Sequence, residues 1–225
     1  MKLVVVDGTL GQITGRVETP FGAVPYFQLP NYPITQLPNY LITQLPEAKR
    51  PDPPALAYAA KALGAERVLL VLRDVGVPEP VVPADFVEFT SDRFTTFFAH
   101  TGTGYVQQVP PFCPELRTAV LQAGGVDGGS LLVVDELPEL EVRQWWEAKG
   151  IELISRRSQP EGALCRELEM CMAVVAVPAA MDINAWITAV YAYLPAERAC
   201  GCDQTMAIAR KSGRLAADWR EWITV

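Results

Sequence analysis

The sequence predicts an α/β protein with three layers (α/β/α), in which helices cover both faces of a central mixed sheet. Two observations lead to this prediction. Segments rich in β-branched residues alternate along the chain with amphipathic segments of helical period, which is typical of a sheet covered by helices. Half of the 225 residues are hydrophobic, so the chain can bury one sizeable core. We therefore expect a single domain over residues 1–225.

The first strand is predicted at 2–7, an apolar run that ends at Asp7 and a glycine turn. The helix at 114–123 opens with Pro114 and Glu115, because the first helical turn tolerates a missing N–H and favours a negative charge. The same periodicities predict the other elements. Further strands are expected at 66–72, 104–109, 130–135, 151–155 and 171–178, and further helices at 53–64, 138–149, 160–169, 182–194 and 203–221.

Residues 28–46 contain an octapeptide repeat. The sequence Q-L-P-N-Y-P-I-T from Gln28 is followed by Q-L-P-N-Y-L-I-T from Gln36 and by a partial third copy from Gln44. So few copies cannot stack into a core of their own, and proline is tolerated in edge strands rather than interior ones. We therefore predict a surface hairpin or extended insertion whose removal leaves the fold nearly intact. An arm for peptide binding or assembly is the alternative.

The net charge of the chain is −7. Nucleic acid and anionic membrane surfaces require clustered Lys and Arg, and the sequence has no basic run. No segment approaches the roughly 20 apolar residues that cross a bilayer. The apolar start of the chain is also too short for a signal peptide. We expect a soluble, cytoplasmic protein that binds neither nucleic acid nor membrane.

The five cysteines are Cys113, Cys165, Cys171, Cys200 and Cys202. Their number is odd, and their spacing lacks the paired pattern of zinc-binding motifs. We therefore predict free thiols and no metal site. A redox pair or strained disulfide between Cys200 and Cys202 is the alternative.

Three segments carry a family resemblance: 85–87 (D-F-V), 95–98 (T-T-F-F) and 111–117 (P-F-C-P-E-L-R). In this order and spacing they resemble motifs of the trimeric purine nucleoside phosphorylase family, particularly its methylthioadenosine phosphorylase branch. The resemblance implies a nucleoside-cleaving fold, a trimer, purine nucleoside and phosphate as partners, and no cofactor. Further similar segments are 17–22 (V-E-T-P-F-G), 62–68 (A-L-G-A-E-R-V), 166–173 (R-E-L-E-M-C-M-A) and 194–202 (L-P-A-E-R-A-C-G-C).

The resemblance implies a phosphate site in the turn that follows the first strand. The family has a glycine-rich loop there, whose backbone amides and hydroxyl hold phosphate. Gly8 and Thr9 are therefore the predicted phosphate contacts, with a plain strand-ending turn as the alternative. An Arg-His pair that contacts phosphate in the family is missing from this chain. Lys49 and Arg50 are its candidate substitutes, or else solvated loop charges.

Other positions implied to contact substrate are altered. Asp74 stands where relatives have small residues beside phosphate, and its charge would repel an anion unless Arg73 compensates. Counting back from Phe112, the family's sugar-contacting histidine corresponds to Tyr105, which is predicted either to contact the sugar or to pack in a strand. His100 is predicted to be a solvated loop residue.

The base site is implied at the end of the strand predicted at 171–178. There the family has Asp-x-Asp, whose carboxylates bind the purine, and this chain has Ala180-Met181-Asp182. Asp182 is therefore predicted to bind the base and, with a pKa raised beside the apolar strand, to protonate it as it departs. Asp182 also stands where it would cap the helix at 182–194. The two roles remain open. Two more substrate positions are altered, to Asp135 and Arg156.

Three functions are considered. The first is pentosyl transfer, the phosphorolysis of a purine nucleoside or methylthioadenosine, in which Thr9 contacts phosphate, Tyr105 the sugar and Asp182 the base. The second, favoured by the altered positions, is a catalytically inactive subunit that retains the fold for nucleoside binding or assembly. A nucleosidase that uses water is a third. We expect a homo-trimer, because the resemblance implies sites that a neighbouring subunit completes near Thr96-Phe97-Phe98, and because the paired aromatics would form an exposed apolar patch in a monomer.

Overall fold

The computed structural model describes residues 3–7, 15–28, 40–43, 52–73, 75–91, 96–98 and 109–223. Within these ranges no helix combines the length and the hydropathy needed to cross a bilayer. The strand predicted at 104–109 falls almost entirely outside them.

The described strands form two sheets. The larger has eight strands in the order β2-β3-β4-β1-β5-β11-β6-β8 and is mixed, because β4, β1, β5 and β11 run parallel while β2, β3 and β6 pair antiparallel. The smaller is parallel, in the order β10-β9-β7. The strands are β1 Leu3–Asp7, β2 Gly15–Val17, β3 Val24–Gln28, β4 Tyr40–Thr43, β5 Arg67–Leu72, β6 Val81–Val82, β7 Asp85–Phe89, β8 Val126–Asp127, β9 Ser130–Val134, β10 Leu153–Ser155 and β11 Cys171–Ala176.

Helices cover both faces of the larger sheet. All six residues of β11 are buried, and since side chains alternate between the faces of a strand, both faces must be covered. Helices α2 and α4 pack against β11, α1 packs against α4, and α2 against α5. The predicted mixed α/β class is therefore confirmed. The helices are α1 Pro53–Ala62, α2 Pro114–Gln122, α3 Leu140–Glu147, α4 Glu161–Glu167, α5 Ile183–Ala192 and α6 Ala207–Lys211.

The helix predicted at 203–221 is wrong as a single element. The structure has a 3₁₀ turn at Cys202–Gln204, the short helix α6, and a second 3₁₀ turn at Trp219–Trp222. Gly213 follows α6 with φ of 70°, a left-handed conformation that ends helices and that glycine adopts without steric cost.

The second copy of the octapeptide repeat contributes an interior strand. Strand β4 lies between β3 and β1, and the backbone of Leu41 is paired with Phe27 on one side and Val5 on the other. The prediction of a surface hairpin is therefore wrong for this copy. In the first copy the equivalent residue is Pro33, which has no N–H to donate between two strands. This single difference favours the second copy for the interior position.

Two neighbouring residues, Arg166 and Glu167, join the segments that carry the family resemblance. Arg166 donates hydrogen bonds to the carbonyl oxygens of Pro110 and, at 3.3 Å, Pro111. The Glu167 carboxylate accepts from the Thr96 hydroxyl and, at 2.7 Å, from the Phe97 amide. Burial raises the pKa of Glu167 to about 7, because desolvation penalises its charged form.

Phe97 and Phe98 belong to the core of the single chain. They are only 3% and 2% exposed, and the Phe97 ring lies 5.8 Å from the ring of Phe21. The prediction that this pair forms an exposed interface patch is therefore wrong. Any argument for association must rest on another surface.

Candidate functional site

The carboxyl ends of β1, β5 and β11 lie at one edge of the larger sheet. The three strands are parallel neighbours in that order, so the ends of β1 and β11 are two strand spacings apart, about 10 Å. Ligands of parallel α/β sheets bind at this edge. Each of these strands leads into a segment where the sequence predicts a site residue.

Arg73 follows β5 and holds the loop that follows β11. Its Nη1 atom donates to the carbonyl oxygens of Pro178 at 3.4 Å, Ala179 at 3.0 Å and Met181 at 3.1 Å. Three carbonyl acceptors on one guanidinium nitrogen fix the loop next to β5. Arg73 is therefore a positioning residue for whatever follows Met181.

Asp182 follows directly, and its side chain is exposed. It is the N-cap of α5, and its Oδ1 atom accepts from the backbone N–H of Asn184 at 3.0 Å. The predicted capping role is thus observed. Within the described ranges the structure records no protein partner for Oδ2. One carboxylate oxygen therefore fixes the helix while the other faces solvent at the sheet edge.

Asp135, which the resemblance implies at a substrate position, has a structural contact here. Its Oδ2 atom accepts from the backbone N–H of Ser91 at 2.7 Å and from the Ser91 hydroxyl at 3.1 Å. The pair ties the segment after β7 to the end of β9. Arg156, which follows β10, is half-buried.

A buried ion pair that the sequence analysis missed lies beside Arg156. The guanidinium of Arg157 donates to Oε1 of Glu161 from Nη2 at 2.9 Å and from Nε at 3.2 Å. The two residues are four apart and only 9% and 4% exposed. The i,i+4 spacing of opposite charges could have indicated this pair.

The remaining predicted site residues lie outside the described ranges, and their roles stay predictions. Strand β1 ends at Asp7, at the same edge of the sheet as Arg73 and Asp182, and Gly8 is the next residue in the sequence. The residues concerned are Gly8, Thr9, Lys49, Arg50, Asp74, His100 and Tyr105.

Four of the five cysteines converge, although they come from three separate segments. The sulfur atoms of Cys113, Cys171, Cys200 and Cys202 all lie within 4.8 Å of one another. None of the five cysteines is joined in a disulfide. The pKa of Cys113 is held far below its usual range, because the thiols of Cys171 and Cys202 donate to its sulfur. The predicted absence of a metal site rested on spacing along the chain, which cannot reveal a cluster assembled by the fold.

Curated proteins similar to this chain are nucleoside phosphorylases, although no family model matches it. A probable S-methyl-5'-thioinosine phosphorylase from Methanopyrus kandleri is 30% identical over 195 residues, covering 68% of this chain and 74% of the relative. An S-methyl-5'-thioadenosine phosphorylase from Mycolicibacterium smegmatis is 33% identical over 154 residues, covering 63% of this chain and 59% of the relative. Its counterpart from Mycobacterium tuberculosis is 36% identical over 142 residues, covering 59% and 52%. The chain thus spans little more than half the length of these two relatives.

Solved structures show the same fold. A double mutant of adenosine/methylthioadenosine phosphorylase from Schistosoma mansoni, crystallised with adenine, superposes with a TM-score of 0.75 at 16% identity, over 94% of this chain and 99% of that one. A methylthioadenosine phosphorylase from an antarctic soil metagenomic library gives a TM-score of 0.62 at 17% identity, over 99% and 90%. Together with the 30% identity that extends over 74% of the Methanopyrus kandleri relative, this places the chain in the purine nucleoside phosphorylase and methylthioadenosine phosphorylase family.

Proposed function

We propose that the protein binds a purine nucleoside and phosphate at the carboxyl edge of β1, β5 and β11 and catalyses phosphorolysis of the glycosidic bond. The substrate class is a purine nucleoside or its methylthio analogue. One observation carries the proposal. An exposed carboxylate, Asp182, ends a loop that Arg73 fixes at the edge where β1 leads into Gly8 and Thr9.

The two reactants would bind at opposite ends of that edge, with phosphate next to β1 and the purine next to β11. Phosphate would bind the amides and hydroxyl of Gly8-Thr9, and a sugar contact would come from Tyr105. The outward oxygen of Asp182 would bind a purine N–H and stabilise the departing base. Positioning of the two reactants by a fixed sheet edge would supply much of the rate.

The second candidate is a non-catalytic nucleoside-binding or assembly subunit. Two observations favour it: Ala180 replaces one of the two base-binding carboxylates, and one oxygen of Asp182 is already used as a helix cap. A site with one carboxylate can still bind a base, while losing part of the transition-state stabilisation.

The test is base release. The protein is incubated with methylthioadenosine, adenosine or inosine, with and without phosphate, and free base is measured by chromatography. Release that requires phosphate supports phosphorolysis, and release without phosphate indicates a nucleosidase. Calorimetric binding without release supports the non-catalytic subunit. The absence of both base release and nucleoside binding would contradict both proposals.

We also propose that the protein is a homo-oligomer, with a trimer as the expected state. An exposed apolar face on α3 and β7 supports association with a second copy. Phe89 and Trp145 are 59% and 54% exposed, and both rings contact Trp146, in a tilted pair with centroids 5.5 Å apart and an edge-to-face pair with centroids 4.8 Å apart. Leu140 on α3 is 68% exposed. A continuous aromatic surface of this kind typically marks an interface.

A further inference from the structure

The four-cysteine cluster has a fixed place in the fold. Cys113 precedes α2, Cys171 begins β11, and Cys200 and Cys202 lie in the segment between α5 and α6. The Cys171 and Cys200 sulfurs are 3.4 Å apart, and all four sulfurs lie within 4.8 Å of one another. Three of the four cysteines are buried, and Cys200 is half-buried. Cys165, the fifth, is not part of the cluster.

These separations fit one tetrahedral ion. Zinc–thiolate bonds of about 2.3 Å in tetrahedral geometry place sulfurs about 3.8 Å apart, which lies within the observed range. A disulfide requires about 2.0 Å, well below the 3.4 Å between Cys171 and Cys200. Thiolates of a four-iron cluster bind separate irons and therefore lie farther apart than ligands of a single ion.

We propose that Cys113, Cys171, Cys200 and Cys202 bind one zinc ion. Tetrahedral sites with four sulfur ligands select zinc among the common divalent metals. On binding, four Zn–S bonds form, and each sulfur that still carries a proton releases it to solvent. The resulting centre carries two negative charges.

Two arginines supply the opposite charge. The Arg198 guanidinium lies beside the start of β11, where its Nη1 atom donates to the carbonyl oxygens of Glu169 at 3.1 Å and Glu66 at 3.4 Å. Arg67 is paired with Cys171 in parallel register, so both side chains project from the same face of the sheet. The Arg67 side chain is fully buried, and within the described residues its Nε and Nη1 atoms have no hydrogen-bond partner.

Arg67 has two carboxylates within ion-pair distance, but its hydrogen-bonding capacity is not filled. Its Nη2 atom lies 3.4 Å from Oε2 of Glu115 and donates to the carbonyl oxygen of Pro195 at 3.0 Å. Glu66 lies 3.8 Å from Nη1. Buried donors that lack an acceptor are costly, and the thiolate sulfurs of a zinc centre on the same face of the sheet would accept strongly from Arg67. Neutral thiols would not.

The site is structural rather than catalytic. Four protein ligands leave no open position for water or substrate. Cys171 begins β11, whereas Asp182 follows its other end, so six strand residues separate the cluster from the phosphorolysis site by about 20 Å. The ion would fasten the segment that contains Cys200 and Cys202 to α2 and the sheet.

Metal content provides the first test. The full-length protein is purified in reducing buffer without chelator, and zinc is measured by mass spectrometry. We expect one zinc ion per chain in the wild type and in Cys165→Ala, a control because Cys165 is buried, like three of the four ligands, but lies outside the cluster. Cys200→Ala, at the most accessible ligand, is expected to lose most of the zinc. Retention of full zinc by this variant would overturn the proposal.

The second test needs no substitution, and so does not depend on a variant that folds. Metal-free wild type is titrated with cobalt(II), and the intense visible absorption of tetrahedral cobalt thiolates is expected at one equivalent. A strong chelator is expected to lower the melting temperature, and zinc to restore it. The absence of cobalt absorption with thiols reduced, a mass reduced by disulfide formation in the purified protein, or bound iron in place of zinc would each contradict the assignment.

Discussion

The carboxylate of Glu167 accepts a hydrogen bond of 2.7 Å from the backbone amide of Phe97, seventy positions earlier in the chain. The contact joins α4 to the segment that precedes the Pro-Phe-Cys-Pro motif. It also brings a carboxylate into the core, where desolvation raises its pKa from 4.5 to about 7. The stability of the fold should therefore depend on pH.

The folded state binds the Glu167 proton more tightly than the unfolded state. This contribution to stability is fully present below about pH 4.5 and is lost as pH rises to about 7, at a total cost on the order of 3 kcal/mol. Glu167→Gln should remove this pH dependence, because its amide accepts from Phe97 and donates to Thr96. Urea unfolding at pH 5 and 8 measures the effect. Glu152→Gln, at an exposed carboxylate, is the control. An equal change in the free energy of unfolding between pH 5 and pH 8 in all three proteins would contradict the prediction.

Two substitutions of Asp182 should distinguish its role as a helix cap from a role in base recognition. Asp182→Ala should cost about 0.5–2 kcal/mol of stability, whereas Asp182→Asn should cost little, because asparagine caps about as well. Asp182→Asn should nevertheless abolish adenine binding in calorimetry, since an amide has a different donor pattern. Asp218→Asn is the control, because Asp218 caps another helical turn in the same way. Unchanged adenine affinity in Asp182→Asn would show that Asp182 caps α5 and does not recognise the base.

The two repeat copies should respond differently to deletion. Removal of residues 29–36 keeps β4 and leaves a three-residue connection after Gln28, which a β-hairpin tolerates, so the melting temperature should barely change. Removal of 36–43 deletes β4 and offers Pro33 in place of Leu41, at a cost of about 1–3 kcal/mol for each lost interior hydrogen bond. Both deletions remove eight residues. Equal thermal unfolding of the two proteins would show that β4 does not need the second copy.

The exposed face of α3 should control the oligomeric state. Trp145→Arg places a charge in this face and should shift the protein towards monomer, as measured by light scattering at micromolar concentration. Ile208→Arg is the control, because Ile208 is 86% exposed on α6, outside this face. Dissociation by the control alone, or a monomeric wild type, would contradict the proposal.

Strands and helices with continuous or periodic apolar patterns were predictable from the sequence. Strand β5, with the sequence R-V-L-L-V-L, is buried throughout, as a central parallel strand should be. The segment after residue 203 was not, because Gly213 interrupts a pattern that otherwise has helical period. The interior position of Leu41 was missed because the neighbouring prolines suggested an edge.

The candidate site was less predictable, because its parts are contacts between distant segments. The capping role of Asp182 could be predicted, since capping depends on residues one turn away. The contact of Arg73 with the carbonyl oxygens of residues 178–181 joins segments more than a hundred positions apart, and no local pattern encodes it. The same holds for the convergence of the four cysteines.

The position of β5 between β1 and β11 has a consequence during protein synthesis. Strand β1 precedes β5 on the ribosome, but β11 pairs with it only about a hundred residues later, because Arg67 is matched with Cys171. At translation rates of roughly 5–20 residues per second, one apolar edge of β5 stays unpaired for about 5–20 s. Nascent chains thus pass through an interval in which one edge of a largely hydrophobic strand is open to other chains. Slow elongation or loss of chaperones should increase aggregation of nascent chains most strongly in this interval.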